Sequence, residues 1–231
     1  MDAIQLSHRL QAVAEQVPSG LVVADIGSDH AFLPCALVLS KRAPYAIAGE
    51  VNEGPYQSAK QQVASLGLAD YISVRKGDGL SIICEGEVDC ITICGMGGVL
   101  ISTILEAGHA VLPVQRLVLQ PNNGERPLRQ WLFKHGWSIT EEVILKENGK
   151  IYEIIAAEPG VSELEEADLL FGPKLRQRSE DLVFQEKWQQ EYNKVERLLT
   201  SLNKATTLSE DIVQKKAYYQ QKLSMIQEVI T

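Results

Sequence analysis

The spacing of apolar positions changes several times along the chain, and each change marks an element. Ile4, Leu6, Leu10, Val13 and Val17 recur at helical spacing over residues 2–16, and Pro18-Ser19-Gly20 ends that rhythm. Leu21 to Ile26 is an unbroken apolar run, the pattern of a strand buried on both faces. The alternation then repeats, with a helix at Leu33–Ser40, a strand at Tyr45–Val51, a helix at Gly54–Leu66 closed by Gly67, and a strand at Tyr71–Arg75. A fourth strand is expected at Val88–Cys94, followed by the turn Gly95-Met96-Gly97-Gly98 and a helix from Val99 to about Ala110. A fifth strand at Arg116–Gln120 precedes a helix at Pro127–His135, closed by Gly136. Trp137–Lys146 and Ile151–Ala157 read as two strands around Glu147-Asn148-Gly149-Lys150, and Asn-Gly is a strong hairpin signal. Five strands alternating with helices, then a hairpin, predict an α/β fold: a mostly parallel sheet, helices on both faces, and an antiparallel hairpin at its edge.

The pattern changes after Pro159-Gly160. Residues 162–171 are acidic and read as a short helix, which Gly172-Pro173 interrupts. Two long helical stretches follow, about 174–203 and 208–230. Leu175, Leu182, Trp188, Tyr192, Val195, Leu198, Leu199 and Leu202 fit one apolar stripe, and Leu208, Ile212, Val213, Leu223, Ile226 and Ile230 fit another. The break at Asn203-Lys204-Ala205-Thr206-Thr207 predicts a coiled-coil-like helical hairpin. Two domains are expected, 1–160 and 161–231.

Composition narrows the class. With 45% hydrophobic and 23% charged residues in 231, the chain has the make-up of a folded protein. It contains no apolar run long enough for a membrane span, and its first residues lack signal-peptide character, so a cytoplasmic location is expected. Cys35, Cys84, Cys90 and Cys94 form no C-x-x-C pair, so no metal is expected and the cysteines read as reduced thiols. The net charge of −8 argues against binding nucleic acid by bulk charge alone. The balance is uneven: residues 1–159 hold 12 basic and 18 acidic residues, whereas from 173 onward 10 basic meet 8 acidic. The helical tail is thus slightly basic on an acidic protein.

Candidate chemistry clusters where the expected strands end. The first ends in Asp25-Ile26-Gly27-Ser28-Asp29-His30. A dinucleotide fingerprint needs three glycines opening the helix to seat a pyrophosphate. Only Gly27 is present, and Asp25 and Asp29 would repel phosphates. Carboxylates suit a ligand with a cationic centre, and S-adenosylmethionine carries both a sulfonium and an ammonium. Glu50, followed by Val51, ends the second strand and can accept from ribose hydroxyls. Asp78 and Gly79 end the third, where an acid can receive an adenine amino group, and Gly95 and Met96 follow the fourth. Open α/β sheets bind ligands at these carboxyl ends. Nucleoside binding is the favoured reading, with dinucleotide binding as its rival.

Taken together, Asp25-Ile26-Gly27-Ser28-Asp29-His30-Ala31-Phe32-Leu33-Pro34, Gly49-Glu50, Gly77-Asp78-Gly79-Leu80, Gly95-Met96-Gly97-Gly98 and Gln120-Pro121-Asn122 closely resemble the bacterial tRNA (adenine-22-N1)-methyltransferase family. The likeness runs to about residue 160, and the helical tail matches in kind. It implies a Rossmann-like class I methyltransferase with S-adenosyl-L-methionine as donor, S-adenosylhomocysteine as product, and N1 of a tRNA adenine as acceptor. The general class I motif has further glycines where Asp29 and Ala31 stand.

On this reading Asp25, Gly27, Ser28, Asp29, His30, Glu50, Val51, Asp78, Gly79, Gly95 and Met96 are cofactor candidates. Asp29, His30 and Asn122 are catalytic candidates. Arg126, Arg129 and Lys134, near one helix, are expected to meet tRNA phosphates, with the tail as a further tRNA contact. A monomer is expected, with a dimer through the tail as the variant. The alternatives are a methyltransferase acting on a small molecule or protein, and a non-catalytic nucleoside-binding assembly module.

Overall fold

A computed structural model describes residues 5–203 and 210–231. The expected start of the first helix at residues 2–4, including Ile4, lies outside the described residues, as do residues 204–207 of the expected tail bend and Leu208. Two compact units divide the chain, Met1–Gly172 and Pro173–Thr231.

The first unit alternates helix and strand in the order α1 (His8–Gln16), β1 (Val23–Ile26), α2 (Phe32–Leu39), β2 (Ala46–Glu50), α3 (Glu53–Ser65), β3 (Ile72–Lys76), β4 (Cys90–Gly97), α4 (Gly98–Ala107), β5 (Arg116–Asn123), α5 (Glu125–Lys134), β6 (Trp137–Glu147), β7 (Lys150–Pro159) and α6 (Glu166–Phe171). One seven-stranded sheet results, ordered β3-β2-β1-β4-β5-β7-β6. β1 to β5 pair in parallel, and β7 runs antiparallel between β5 and β6. The hairpin is therefore at the edge, as the pattern predicts. Its turn places Asn148 and Gly149 at φ 49° and 77°, the left-handed pair that a two-residue hairpin requires.

Alternating side chains supply the two faces of the sheet. Val23, Cys90, Val118 and Ile154 pack against α1 and α2, and Ala46, Ala48 and Ile72 against α2 and α3. Ile91, Ile93, Leu117, Leu119 and Ile155 turn to the other face, under α4 and α5. This period of two along buried strands creates cores on both sides of one sheet.

Several boundaries differ from the pattern, and three of them have a visible cause. The first described helix begins at His8 because Ser7 Oγ caps it, accepting from the Leu10 amide at 3.2 Å. The first tail helix, α7 (Leu182–Asn203), begins eight residues later than 174. Asp181 Oδ1 accepts from the amides of Val183 at 2.8 Å and Phe184 at 3.2 Å and starts the helix there. Gly95, Met96 and Gly97 are not a turn. They extend β4, through a bulge, against Pro121 and Asn123.

In the second unit, α7 packs on α8 (Glu210–Ile230), burying Phe184, Trp188, Val195 and Ile226. Lys222 Nζ meets Glu191 Oε1 at 2.6 Å. Glu191 lies as far before the end of α7 as Lys222 lies after the start of α8, so the two helices run antiparallel. Leu182, Leu198 and Val213, assigned to the stripe, are instead exposed. Among the described residues no helix is long and apolar enough to cross a membrane.

Candidate active site

The parallel strands bring the sequence candidates to one edge of the sheet. Asp25, at the end of β1, is buried and accepts from Ser28 Oγ and Thr92 Oγ1, both at 2.6 Å. Burial pushes its carboxyl above the ordinary range, and the two hydroxyls pull it partly back. Gly27, at φ 69°, turns the chain out of the strand. Its amide and that of Ser28 both donate to the Gly49 carbonyl, at 2.9 and 3.1 Å, tying this turn to the end of β2. A side chain at Gly27 would place its Cβ 2.2 Å from Met96 Cε. The bare glycine is thus the notch into which the Met96 methyl fits from β4.

Asp29, His30 and Ala31 all lie at positive φ (42°, 63° and 55°). The glycines of the general motif are missing, yet two of their positions keep a glycine-like backbone. Such conformations cost non-glycine residues on the order of 1–3 kcal/mol each and persist only where the surroundings impose them. Here the Asp29 amide donates to Glu50 Oε1, and Ala31 is fully buried. The exposed His30 ring stacks on Phe32 with centroids 5.4 Å apart, and its Nε2 lies 3.7 Å from Asp29 Oδ1.

Glu50 is buried, which raises its carboxyl above the usual value against the lowering effect of the Asp29 amide. One oxygen holds that amide, and the other can accept from a hydroxyl. Val51 beyond it is exposed. The Gly77 amide donates to the Glu50 carbonyl at 3.0 Å, which brings Asp78, exposed, and Gly79 alongside.

The fourth and fifth strands supply a second cluster. Asn122 Nδ2 donates to the Gly95 carbonyl at 2.7 Å, and the Gly95 amide donates to Gln120 Oε1 at 3.1 Å. Asn122 remains exposed, whereas Gln120 is fully buried. Arg9 of α1 also donates to Gln120 Oε1. Sequence reasoning missed Arg9, and nothing around it in the chain marks it. This edge offers buried carboxylates for a nucleoside with a cationic centre and an exposed amide beside them. Such an edge can align two reactants.

The basic candidates separate. Arg129 is not a phosphate contact. It is fully buried, with its Nε on Glu142 at 2.7 Å and its NH2 on Glu153. Two carboxylates hold it inside the fold, against the α6 carbonyls of Leu169 and Leu170. Arg126 pairs with Glu166 at 2.6 Å on the surface, and Lys134 is exposed. His135 joins Glu106 at 2.9 Å. All four cysteines are free thiols, and no cluster among the described residues could hold a metal ion.

Known proteins place this arrangement. Residues 23–228 match the family described as tRNA (adenine(22)-N(1))-methyltransferase. The tRNA (adenine(22)-N(1))-methyltransferase of Bacillus subtilis strain 168 is 45% identical over 237 residues, covering 100% of this chain and 99% of the relative. The crystal structure of the Bacillus subtilis M1A22 tRNA methyltransferase superposes with a TM-score of 0.94 at 44% identity, over 99% of this chain and 100% of that one. A Streptococcus pneumoniae protein solved in complex with S-adenosyl-L-methionine superposes at 0.89 with 44% identity, over 98% and 100%. The chain belongs to the tRNA (adenine(22)-N(1))-methyltransferase family.

Proposed function

We propose that this chain transfers a methyl group from S-adenosyl-L-methionine to N1 of adenine 22 in tRNA. The match to that family along nearly the whole chain carries the reading. The residues at the sheet edge fit the donor. Asp25 and Glu50 are buried acids at the ends of adjacent strands, and Gly27 leaves the backbone bare between them. Asp25, Gly27, Ser28, Asp29 and His30 form the turn that receives its amino-acid part. Glu50 and Val51 take the ribose, and Asp78, Gly79, Gly95 and Met96 border the adenine.

When bound, the donor supplies an electrophilic methyl group on a positively charged sulfur. Adenine N1 already carries a lone pair, so no residue need remove a proton before attack. The chain's work is to hold an extruded base, exclude water and align N1 with the methyl carbon. The positive charge leaves sulfur and arrives on the base. Asp29, exposed at the turn, and the Asn122 carbonyl oxygen favour that charge. His30 lies beside Asp29 and stacks on Phe32. Arg126, Lys134 and the slightly basic tail meet the tRNA backbone. The chain acts as a monomer in the cytoplasm, where its substrate is found, and light scattering tests for a dimer through the tail.

Mass spectrometry of tRNA from cells with and without the gene tests the proposal. N1-methyladenosine at position 22 is expected to vanish from the deleted strain. Its persistence there would overturn the assignment.

A further inference from the structure

Arg9 is far in sequence from the rest of the site, yet its guanidinium ends inside it. NH1 donates to Gln120 Oε1, and Cζ lies 5.4 Å from the centre of the Tyr152 ring, within cation–π range. The buried Gln120 amide is used on both sides. Oε1 also accepts from the Gly95 amide, while Nε2 donates to the Pro121 carbonyl at 2.9 Å and to Asn122 Oδ1 at 3.3 Å. Asn122 Nδ2 then donates to the Gly95 carbonyl at 2.7 Å. One chain of donors runs from Arg9 through Gln120 and Asn122 to Gly95.

An amide side chain can turn over with almost no change of shape, so only its partners decide which end is oxygen. A guanidinium has donors and no acceptor. Arg9 therefore requires Oε1 at its end of Gln120, which turns Nε2 toward Asn122. Asn122 must then show Oδ1 to Gln120 and Nδ2 to Gly95. The Gly95 amide and the Pro121 carbonyl impose the same sense on Gln120, and the Gly95 carbonyl imposes it on Asn122, but all three are neutral partners and weaker than the charged Arg9.

We propose that Arg9 is a positioning residue: it fixes the orientation of the Asn122 amide and so selects a target base with a 6-amino group. The proposal rests on the reading of this site as an adenine N1-methyltransferase. In this orientation Asn122 Oδ1 keeps a lone pair for N6–H, and Nδ2 keeps an N–H for N7 on the major-groove edge. N1 must stay open to the methyl donor, so the base is read through the neighbouring amino group. The product's charge spreads over N1, C6 and N6, and an oxygen at N6 stabilises it. A reversed amide would set N–H against N–H.

The test is single-turnover methylation of two tRNA transcripts, one with adenine and one with unsubstituted purine at position 22. Wild type is expected to prefer adenine. Arg9→Ala should slow the adenine substrate by roughly tenfold to a hundredfold and cut the preference by about tenfold. Its affinity for S-adenosyl-L-methionine should stay within about twofold, which shows that the fold is kept. Arg9→Lys, again donor-only, should restore most of the preference, and Arg9→Met should not. In the free protein, the side-chain amide resonances of Gln120 and Asn122 should move in Arg9→Ala and return in Arg9→Lys. An unchanged preference in Arg9→Ala overturns the proposal, as does a loss that lysine fails to rescue. A wild-type chain that methylates neither transcript overturns the functional reading along with it.

Discussion

The ends of β1 and β2 and the ends of β4 and β5 serve one candidate site but are held in different ways. At β1 and β2 the candidates are one short run, Asp25 to His30, together with Glu50 of the adjacent strand: Ser28 holds Asp25 from three residues away, and the Asp29 amide holds Glu50. At β4 and β5 the contacts cross the fold, from Gly95 to Gln120 and Asn122, and on to Arg9 of α1. The Asp25–His30 turn of the first region can be read as a motif, whereas the second region joins residues of three elements, none of which marks the others in the sequence. The same contrast separates two arginines. Arg129 sits beside basic neighbours in the sequence and is buried between two acids. Arg9 has no such neighbours and reaches the site.

The largest expected effect tests that division of the arginines. Arg129→Met takes the Arg129 guanidinium away from the buried Glu142 and Glu153. Breaking such a cluster costs about 3–5 kcal/mol, so the melting temperature should fall by on the order of 10 °C. The salt dependence of tRNA binding should not change. A stable variant with weakened tRNA binding would restore Arg129 as a phosphate contact.

Next comes the proposed ribose contact. Glu50→Gln keeps an oxygen for the Asp29 amide but loses the charge. Donor affinity should drop by about tenfold, since one hydrogen bond to a charged group is worth roughly 1.5 kcal/mol or more. Stability should respond the other way. The folded carboxyl is raised above its ordinary value of 4.5, so the native state binds its proton more tightly than the unfolded chain does. Wild type therefore loses stability from this group as pH rises through and above that value. The stability of Glu50→Gln relative to wild type should grow between pH 4 and pH 7. A gap that is flat across that range, measured by denaturant titration, would contradict the burial argument.

A smaller effect belongs to the surface charges. Arg126→Glu and Lys134→Glu should each weaken tRNA binding and lower its log–log salt slope by about one. A slope equal to wild type would remove that residue from the interface. The smallest is in the tail, where Lys222→Ala breaks the pair with Glu191. A partly exposed pair contributes up to about 1 kcal/mol, so only a slight loss is expected in thermal melts.

Much of the fold is legible because its signals are local. Unbroken apolar runs mark the buried strands, and Asn148-Gly149 marks the hairpin. The positions of Asp25, Gly27, Glu50 and Asp78 follow from strand ends alone. What escapes depends on distant partners. The glycine loop at 95–97 reads as a turn until β5 pairs with it as strand. Arg129 reads as exposed because helical spacing leaves it beside, not within, the apolar stripe of Leu128, Trp131 and Leu132. A signal did exist: Glu153 interrupts the apolar run Ile151 to Ala157, and a buried acid needs a cation. Arg9 had no comparable signal, because its partner Gln120 is neutral and, unlike a buried acid, demands no cation.

The central claim is that this edge of the sheet methylates one atom of one tRNA base. The direct test is to incubate the purified chain with labelled S-adenosyl-L-methionine and unmodified tRNA, and to map the label by nuclease digestion and mass spectrometry. The account predicts one methyl group per tRNA, on N1 of adenine 22, and none when that base is guanine. Label on another base or another atom, or no transfer to tRNA at all, would contradict it.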